Sequence, residues 1–420
     1  MPQHHRTRTA ERGSALRPLL FASAAGFAAV LLAWWLLPGH APTQDVGPIA
    51  RPPTTRPLAP QPKVGPRSPG PAPAATTATV RAALRQHFAG LAVSREIIAL
   101  LLAGDVAAAA RQLEAIPGHG GAALLWDLGT LCREARGPSE TDPRAADAHA
   151  ALDAAALDPA TRPLLEGMVG ERRDWLARLA SGCAVAQLEP ATLLRRLQAS
   201  AAGGDAASLE RLASVDAAPF VRLTSAALLG APRAQLKLAL ALLDEGPGAV
   251  RTSEQRQGGV TWLQAAAKGD ADAESYYATC LLSGCYGPAD PGAARSAMEH
   301  AARGGSSAAL GLLSAAGAGA AGDTAGRWSP LAAPVAALPP RDPGALGLGE
   351  TERYAWAAFA ERLARAGCFG FDFTIAGEAL SGRARLERTL RPSQLADAAA
   401  AAEKLWSDAG GAARAARGCD

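Results

Sequence analysis

The chain of 420 residues is poor in aromatic side chains; Phe, Trp and Tyr together make up 5% of it. β-Sandwiches and barrels draw on aromatic and β-branched residues for their half-buried strands, so this shortage disfavours both architectures. Lysine is scarcer still: Lys63, Lys237, Lys268 and Lys404 are the only lysines among 42 basic residues. Also missing are a G-x-S-x-G elbow, an H-E-x-x-H pair, a Walker loop and any C-x-x-C. Those absences remove the local signatures of α/β-hydrolases, zinc peptidases, P-loop enzymes and zinc ribbons. The seven histidines are scattered, none at ligand spacing from a cysteine. No catalytic residue, metal ligand or cofactor is therefore assigned. A basic stripe is absent from the bulk of the chain as well. Residues 1–75 carry eight basic against two acidic groups, whereas the remainder is slightly acidic. Nucleic acid is not the expected partner.

What the chain has instead is alanine and leucine, within a hydrophobic share of 49%. Small residues in long runs suit helices that approach one another closely. From Leu19 to Leu37 the run LLFASAAGFAAVLLAWWLL contains no charge. At about 1.5 Å per residue it spans roughly the hydrocarbon thickness of a bilayer. Arg6, Arg8, Arg12 and Arg17 precede it, and Arg51 is the first basic residue after it. Residues 1–18 are thus expected in the cytoplasm, 19–37 as one transmembrane helix of a bacterial inner membrane, and the bulk of the chain in the periplasm. A cleaved signal peptide is the competing reading. Its only small-residue site, Gly39-His40-Ala41, is followed by Pro42, which cleavage tolerates poorly. Ala22 and Gly26 have the small-xxx-small spacing through which two such helices can dimerise. Twelve prolines fall between Pro38 and Pro73. This density forbids helix and sheet, and makes residues 38–78 an extended disordered stalk.

From Val80 onward, Ala/Leu-rich stretches alternate with short glycine-containing breaks. Three breaks share one chemistry: Gly104-Asp105, Gly204-Asp205 and Gly269-Asp270. Glycine can end one helix in the left-handed conformation and aspartate can cap the next, giving an antiparallel helical hairpin. A repeat is visible at an offset of 35, where Ala266, Ala267, Gly269 and Ala273 fall on Ala301, Ala302, Gly304 and Ala308. Two helices per unit at such a period signal an α-solenoid, in which small side chains let neighbouring hairpins stack.

The run from Ala265 to Leu310, with Asp290 to Ala294 and Ala301-Ala-Arg-Gly304, resembles the Sel-one-like repeat of the tetratricopeptide superfamily. Tyr354 to Gly367 is similar to a further second helix, and Leu390 to Trp406 to the helix that closes such arrays. Thr279 and Leu313 depart from the pattern, standing where the family has glycine. The resemblance implies an all-α fold, an α/α solenoid of antiparallel hairpins with a concave surface for a protein or peptide partner. Expected divisions are N-terminal hairpins at 79–190, Sel-one-like repeats at 191–314, a flexible Gly/Ala/Pro-rich insertion at 315–349, a repeat helix and closing helix at 350–410, and a tail at 411–420. The function implied is an adaptor or scaffold in an envelope complex. The alternative is an envelope enzyme, peptidoglycan-related, or its regulator, with a site in residues 80–190 where the repeat fades.

Six cysteines all follow the apolar run, hence in an oxidising compartment by this topology. If Gly284 ends a helix, Cys280 and Cys285 meet across its last turn and pair. Sequential pairing of the others gives Cys132–Cys183 and Cys368–Cys419. Trp262, Tyr276, Tyr277, Tyr286, Trp356 and Phe359 are either a recognition surface or core plugs between alanine layers.

Overall fold

Alanine-rich sequence between helix breakers makes helices, and every regular element among the described residues is one. The computed structural model describes residues 74–89, 91–116, 120–137, 161–216, 219–243, 252–284, 287–314 and 346–419. All belong to one unit, Pro69–Asp420. The apolar run 19–37, the Ala22 and Gly26 pair, the stalk prolines, residues 315–345, Tyr286 and Cys285 lie outside the described residues. Among those described, no helix is long and apolar enough to cross a membrane.

In chain order the helices are α1 (Ala74–His87), α2 (Arg95–Ala103), α3 (Val106–Glu114), α4 (Gly121–Arg136), α5 (Arg162–Ala186), α6 (Pro190–Ala202), α7 (Ala206–Leu212) and α8 (Pro219–Leu228). They continue as α9 (Pro232–Leu243), α10 (Ser253–Ala267), α11 (Ala271–Ser283), α12 (Pro291–Arg303), α13 (Ser307–Ser314), α14 (Glu350–Arg365), α15 (Phe373–Glu387) and α16 (Pro392–Arg417).

The breaks work largely as their chemistry dictates. Asp105, Asp205 and Asp270 accept from the N–H groups of Ala108, Ser208 and Ala273 at 3.0, 3.2 and 2.9 Å, each capping the helix that follows. Such a cap is worth about 1 kcal/mol. Gly104 and Gly204 take positive φ values of 82° and 86°. Gly269 does not: α10 ends at Lys268 in right-handed geometry. What the absent side chain gives at Gly269 is room, since a Cβ there would stand 3.3 Å from Pro232 Cγ at the start of α9. Ser306 takes the aspartate's place in the next unit, its hydroxyl accepting from Ala309 N–H at 3.3 Å.

From α6 to α15 each helix packs on its neighbours in sequence, hairpin after hairpin, as a stacked array requires. The repeated alanines sit in these seams: Ala266, Ala273, Ala301, Ala302 and Ala308 are all at most 1% exposed. Ala267 is half-buried, one step off the seam.

The array does not stay open. α15 packs on α5, and α16 on both α1 and α12, so the last helices close against the first. The turn 366–371 lies directly on α1: a Cβ on Gly367 would come within 2.6 Å of Thr79 Oγ1, and one on Gly370 within 2.9 Å of Ala83 Cα. One continuous core runs through Leu84, Leu101, Leu128 and Leu179 to Met298, Leu310, Phe359 and Phe373. Residues 411–417, expected as a tail, are therefore the last turns of α16, with Ala413, Arg417 and Cys419 buried at the closing seam. Two other expected edges also move. Residues 74–78 are helical, not stalk, and at 346–349, read as insertion, Leu346 and Leu348 are buried in the core.

Two disulfides fix this arrangement. Cys132–Cys183 joins α4 to α5, with 5.6 Å between Cα atoms. Cys368–Cys419 joins the α14–α15 turn to the residue two beyond α16, at 5.1 Å. Cys280 is also disulfide-bonded, and Gly284, left-handed at φ 68°, donates its N–H to the Cys280 carbonyl. Next to Cys419, Arg417 is 6% exposed. Its guanidinium lies 4.6 Å from the Phe369 ring centroid and donates to Ser307 Oγ at 3.2 Å. Burial lowers its pKa to about 10, against the pull of Asp272 and Asp372.

Candidate functional site: a cleft over a buried charge network

The cleft forms where four segments converge. Its walls come from the segment after α1 (Leu91), the segment after α3 (Ile116), the start of α7 and the α8–α9 turn (Leu229 to Arg233). It encloses about 440 Å³. Most of the wall is apolar, through Leu91, Ile116, Leu124, Leu229 and Pro232. Asp205, Glu210 and Arg233 supply the charges.

Beneath it lies a network that ties α4, α7 and α9 together. Arg211 of α7 is the hub. Its Nη2 donates to Asp127 Oδ2 of α4 at 3.0 Å and to the Ala89 carbonyl at 3.1 Å. Its Nη1 donates to Glu210 Oε2 at 2.7 Å. Lys237 of α9 donates to the other oxygen of Glu210, also at 2.7 Å. His87 Nε2 lies 2.7 Å from the Asp127 carbonyl oxygen, which places its proton on that nitrogen. Arg211, Asp127 and Glu210 are each at most 9% exposed.

Buried charges tolerate such a place only when paired. Burial pushes the Asp127 carboxyl up from its ordinary value even though Arg211 pulls it down. For Glu210 burial acts the same way, yet Lys237 and Arg211 together overcome it and hold the carboxyl below the usual range. Both carboxylates are committed inside the protein. Asp205 accepts from Ser208 N–H and Ser200 Oγ, both on Oδ2. Arg233 is different. It is half-buried, donates from Nη1 to the Ala89 carbonyl at 3.0 Å, and helps hold the Glu210 carboxyl down, while forming no ion pair among the described residues.

Beside the cleft stands an exposed apolar edge. Six large apolar side chains are exposed among the described residues, and four of them, Val215, Val221, Leu228 and Leu229, fall in one stretch around α8. Val221 and Leu228, seven apart, share a helix face and are 58% and 72% exposed. Leu229 both lines the cleft and continues that face.

A second groove, of about 360 Å³, runs between α14, α15 and α16. Its charges answer one another. Glu361 accepts from Arg383 and, at 2.7 Å, from Arg365. Arg362 meets Glu403 and lies over Trp406, and Tyr354 donates to Glu387 at 3.0 Å. This is a packing seam stitched by ion pairs.

The aromatic candidates separate. Tyr276, Trp356 and Phe359 are buried at 1%, 4% and 0% exposure, in the core. Trp262 and Tyr277 are half-buried against the α9–α11 core, and the Tyr277 hydroxyl accepts from Gln264 at 3.1 Å. None of these five lines the cleft. Sequence reasoning missed Asp127, Glu210, Arg211, Arg233 and Lys237. One signal was available: in Leu209-Glu-Arg-Leu212 two adjacent charges are bracketed by leucines, which forces a short buried helix to pair them.

No protein-family model matches the chain, and no curated protein matches it. Among solved structures the chain is similar to c5321, a protective antigen present in uropathogenic Escherichia coli strains displaying an SLR fold. The two are 20% identical, with a TM-score of 0.38, and the match covers 54% of this chain and 43% of that one. It thus spans less than half the length of that structure.

Proposed function

We propose that this chain is a membrane-tethered helical-repeat adaptor that binds a protein or peptide partner in the periplasm of a bacterial envelope. The observation carrying the binding reading is the exposed pair Val221 and Leu228 on one face of α8, with exposed Leu229 after it at the wall of an apolar cleft. Clustered exposed apolar side chains mark interaction surfaces, because water contact there is costly unless a partner covers it. The tether reading rests on the uncharged run 19–37 with arginines only on its N-terminal side. Cys132–Cys183 and Cys368–Cys419, all four cysteines buried, agree with folding in an oxidising compartment.

The competing enzyme reading would use the carboxylates at residues 80–190. Asp127 is the candidate, and Arg211 already occupies its carboxylate, leaving it ill-placed to move a substrate's proton. The test is capture of the full chain from detergent-solubilised envelope, alongside an assay for turnover of peptidoglycan fragments. A stoichiometric protein partner, lost in Leu228→Glu, supports the adaptor. Turnover abolished by Asp127→Asn, with no captured protein, would overturn it. Alkaline phosphatase fused to the C-terminus should be active in cells; an inactive fusion contradicts the periplasmic placement.

A further inference from the structure

We infer that the cleft takes a lysine side chain from a segment of the partner protein, its apolar stem against the cleft walls and its ammonium on Oδ1 of Asp205. The inference rests on the binding reading above and names the group that is bound.

The lining decides the sign of the charge. Two carboxylates, Asp205 and Glu210, stand against one cation, Arg233. Glu210 is already answered, with Lys237 on one oxygen, Arg211 on the other, and Arg233 adding its pull. Arg233 is drawn inward too, donating to the Ala89 carbonyl and acting on Asp272 as well as Glu210. Asp205 is the exception. It is 4% exposed, and its bonds from Ser208 N–H, Ser208 Oγ and Ser200 Oγ all fall on Oδ2. Oδ1 accepts from no group among the described residues, and it is the oxygen the cleft can reach. Arg211 feels the charge of Asp205 but spends its three nitrogens on Asp127, Glu210 and the Ala89 carbonyl. A carboxylate oxygen behind apolar walls is costly to leave without a donor. A cationic ligand supplies that donor and displaces nothing.

The geometry selects among cations. A single open oxygen suits the point charge of an ammonium; the guanidinium fork is matched by two oxygens, and its width would press on Arg233. A bare metal ion finds too few ligands, since no group of three His, Cys, Asp or Glu among the described residues could hold one. Leu91, Ile116, Leu124, Leu229 and Pro232 cover a four-carbon stem. Leu229, 55% exposed at the wall, marks where such a stem enters from a backbone lying outside.

The full chain in detergent micelles is titrated with labelled synthetic peptides of one Leu/Val/Ala frame carrying a central Lys, norleucine or Glu, followed by fluorescence anisotropy. The Lys peptide should bind tightest, ahead of the norleucine peptide by on the order of tenfold, with the Glu peptide weakest. Asp205→Asn keeps an oxygen to cap α7 but loses the charge, so it should erase the preference for Lys over norleucine. Arg233→Gln, which keeps a donor for the Ala89 carbonyl and removes the opposing cation, should widen that preference. Equal binding of the Lys and norleucine peptides by the wild type overturns the inference, as does a Lys preference that survives in Asp205→Asn. Displacement of the Lys peptide by an equal concentration of 1-aminohexane also overturns it, because the site would then take a small free amine. If no peptide binds while envelope capture yields a partner, the inference fails and the adaptor reading stands; if capture also yields nothing, both fail.

Discussion

The two described disulfides offer a controlled comparison, because both have a sequence separation of 51. In the chain-entropy model, closing a loop of that length destabilises the unfolded state by about 4 kcal/mol at room temperature. Replacing Cys132 and Cys183 by alanine, or Cys368 and Cys419, should therefore lower unfolding free energy by a similar amount, with about 4 kcal/mol as the model value. The structural consequences should differ. Cys132–Cys183 joins two helices that already pack on each other. Cys368–Cys419 pins the end of α16 into the seam with α1, where Arg417 sits over Phe369 and the 366–371 turn presses on Thr79 and Ala83. Without it, the last turn of α16 should fray and α1 should lose its cover. Urea unfolding gives the stabilities, and amide hydrogen exchange by mass spectrometry gives the location. Faster exchange in α1 and at 411–419 is expected for the Cys368/Cys419 variant alone. Unchanged exchange there, or the same pattern in both variants, would refute the idea that this disulfide holds the array shut.

Three further outcomes follow from the same packing. Asp127→Ala leaves the buried Arg211 with Glu210 alone, and Arg211→Met leaves the buried Asp127 carboxyl without its cation; each should cost about 3–5 kcal/mol in urea unfolding, and the double variant less than the sum of the two. Ala301→Leu, at 0% exposure in a helix seam, should overpack it and lower stability by about 1–3 kcal/mol, whereas Ala267→Leu, half-buried, should cost less; thermal melts compare them. Glu210, held below its ordinary carboxyl value, contributes stability that is complete above that value of 4.5 and lost as pH falls through its folded value. Asp127, pushed up, acts with the opposite sign and disfavours the fold once ionised, so Glu210→Gln should flatten the acid limb of a stability–pH curve and Asp127→Asn should not.

The local features of this fold were legible in the sequence. Asp105, Asp205 and Asp270 cap helices because the capping bond spans only three residues, and a short-range rule suffices to find it. The alanines at an offset of 35 lie in seams because stacked units place equivalent residues in equivalent environments. Closure of the array was not legible. It depends on α16 meeting α1 across more than three hundred residues, and no periodicity encodes that meeting. The charge network has the same character. Asp127 and Arg211 are 84 apart and meet only once α4 and α7 are packed. Nor did the aromatics point to the cleft: in an alanine-rich core the few large rings fill volume, and Tyr276 and Phe359 are spent there.

The most direct measurement uses a photo-crosslinking amino acid at position 228 of the full chain in living cells, with position 173, whose arginine side chain is 79% exposed on α5, as the control. A discrete cross-linked protein from position 228, absent from position 173, is the result expected of an adaptor whose α8 edge is covered by a partner. No adduct at 228, or the same adducts from both positions, would contradict it.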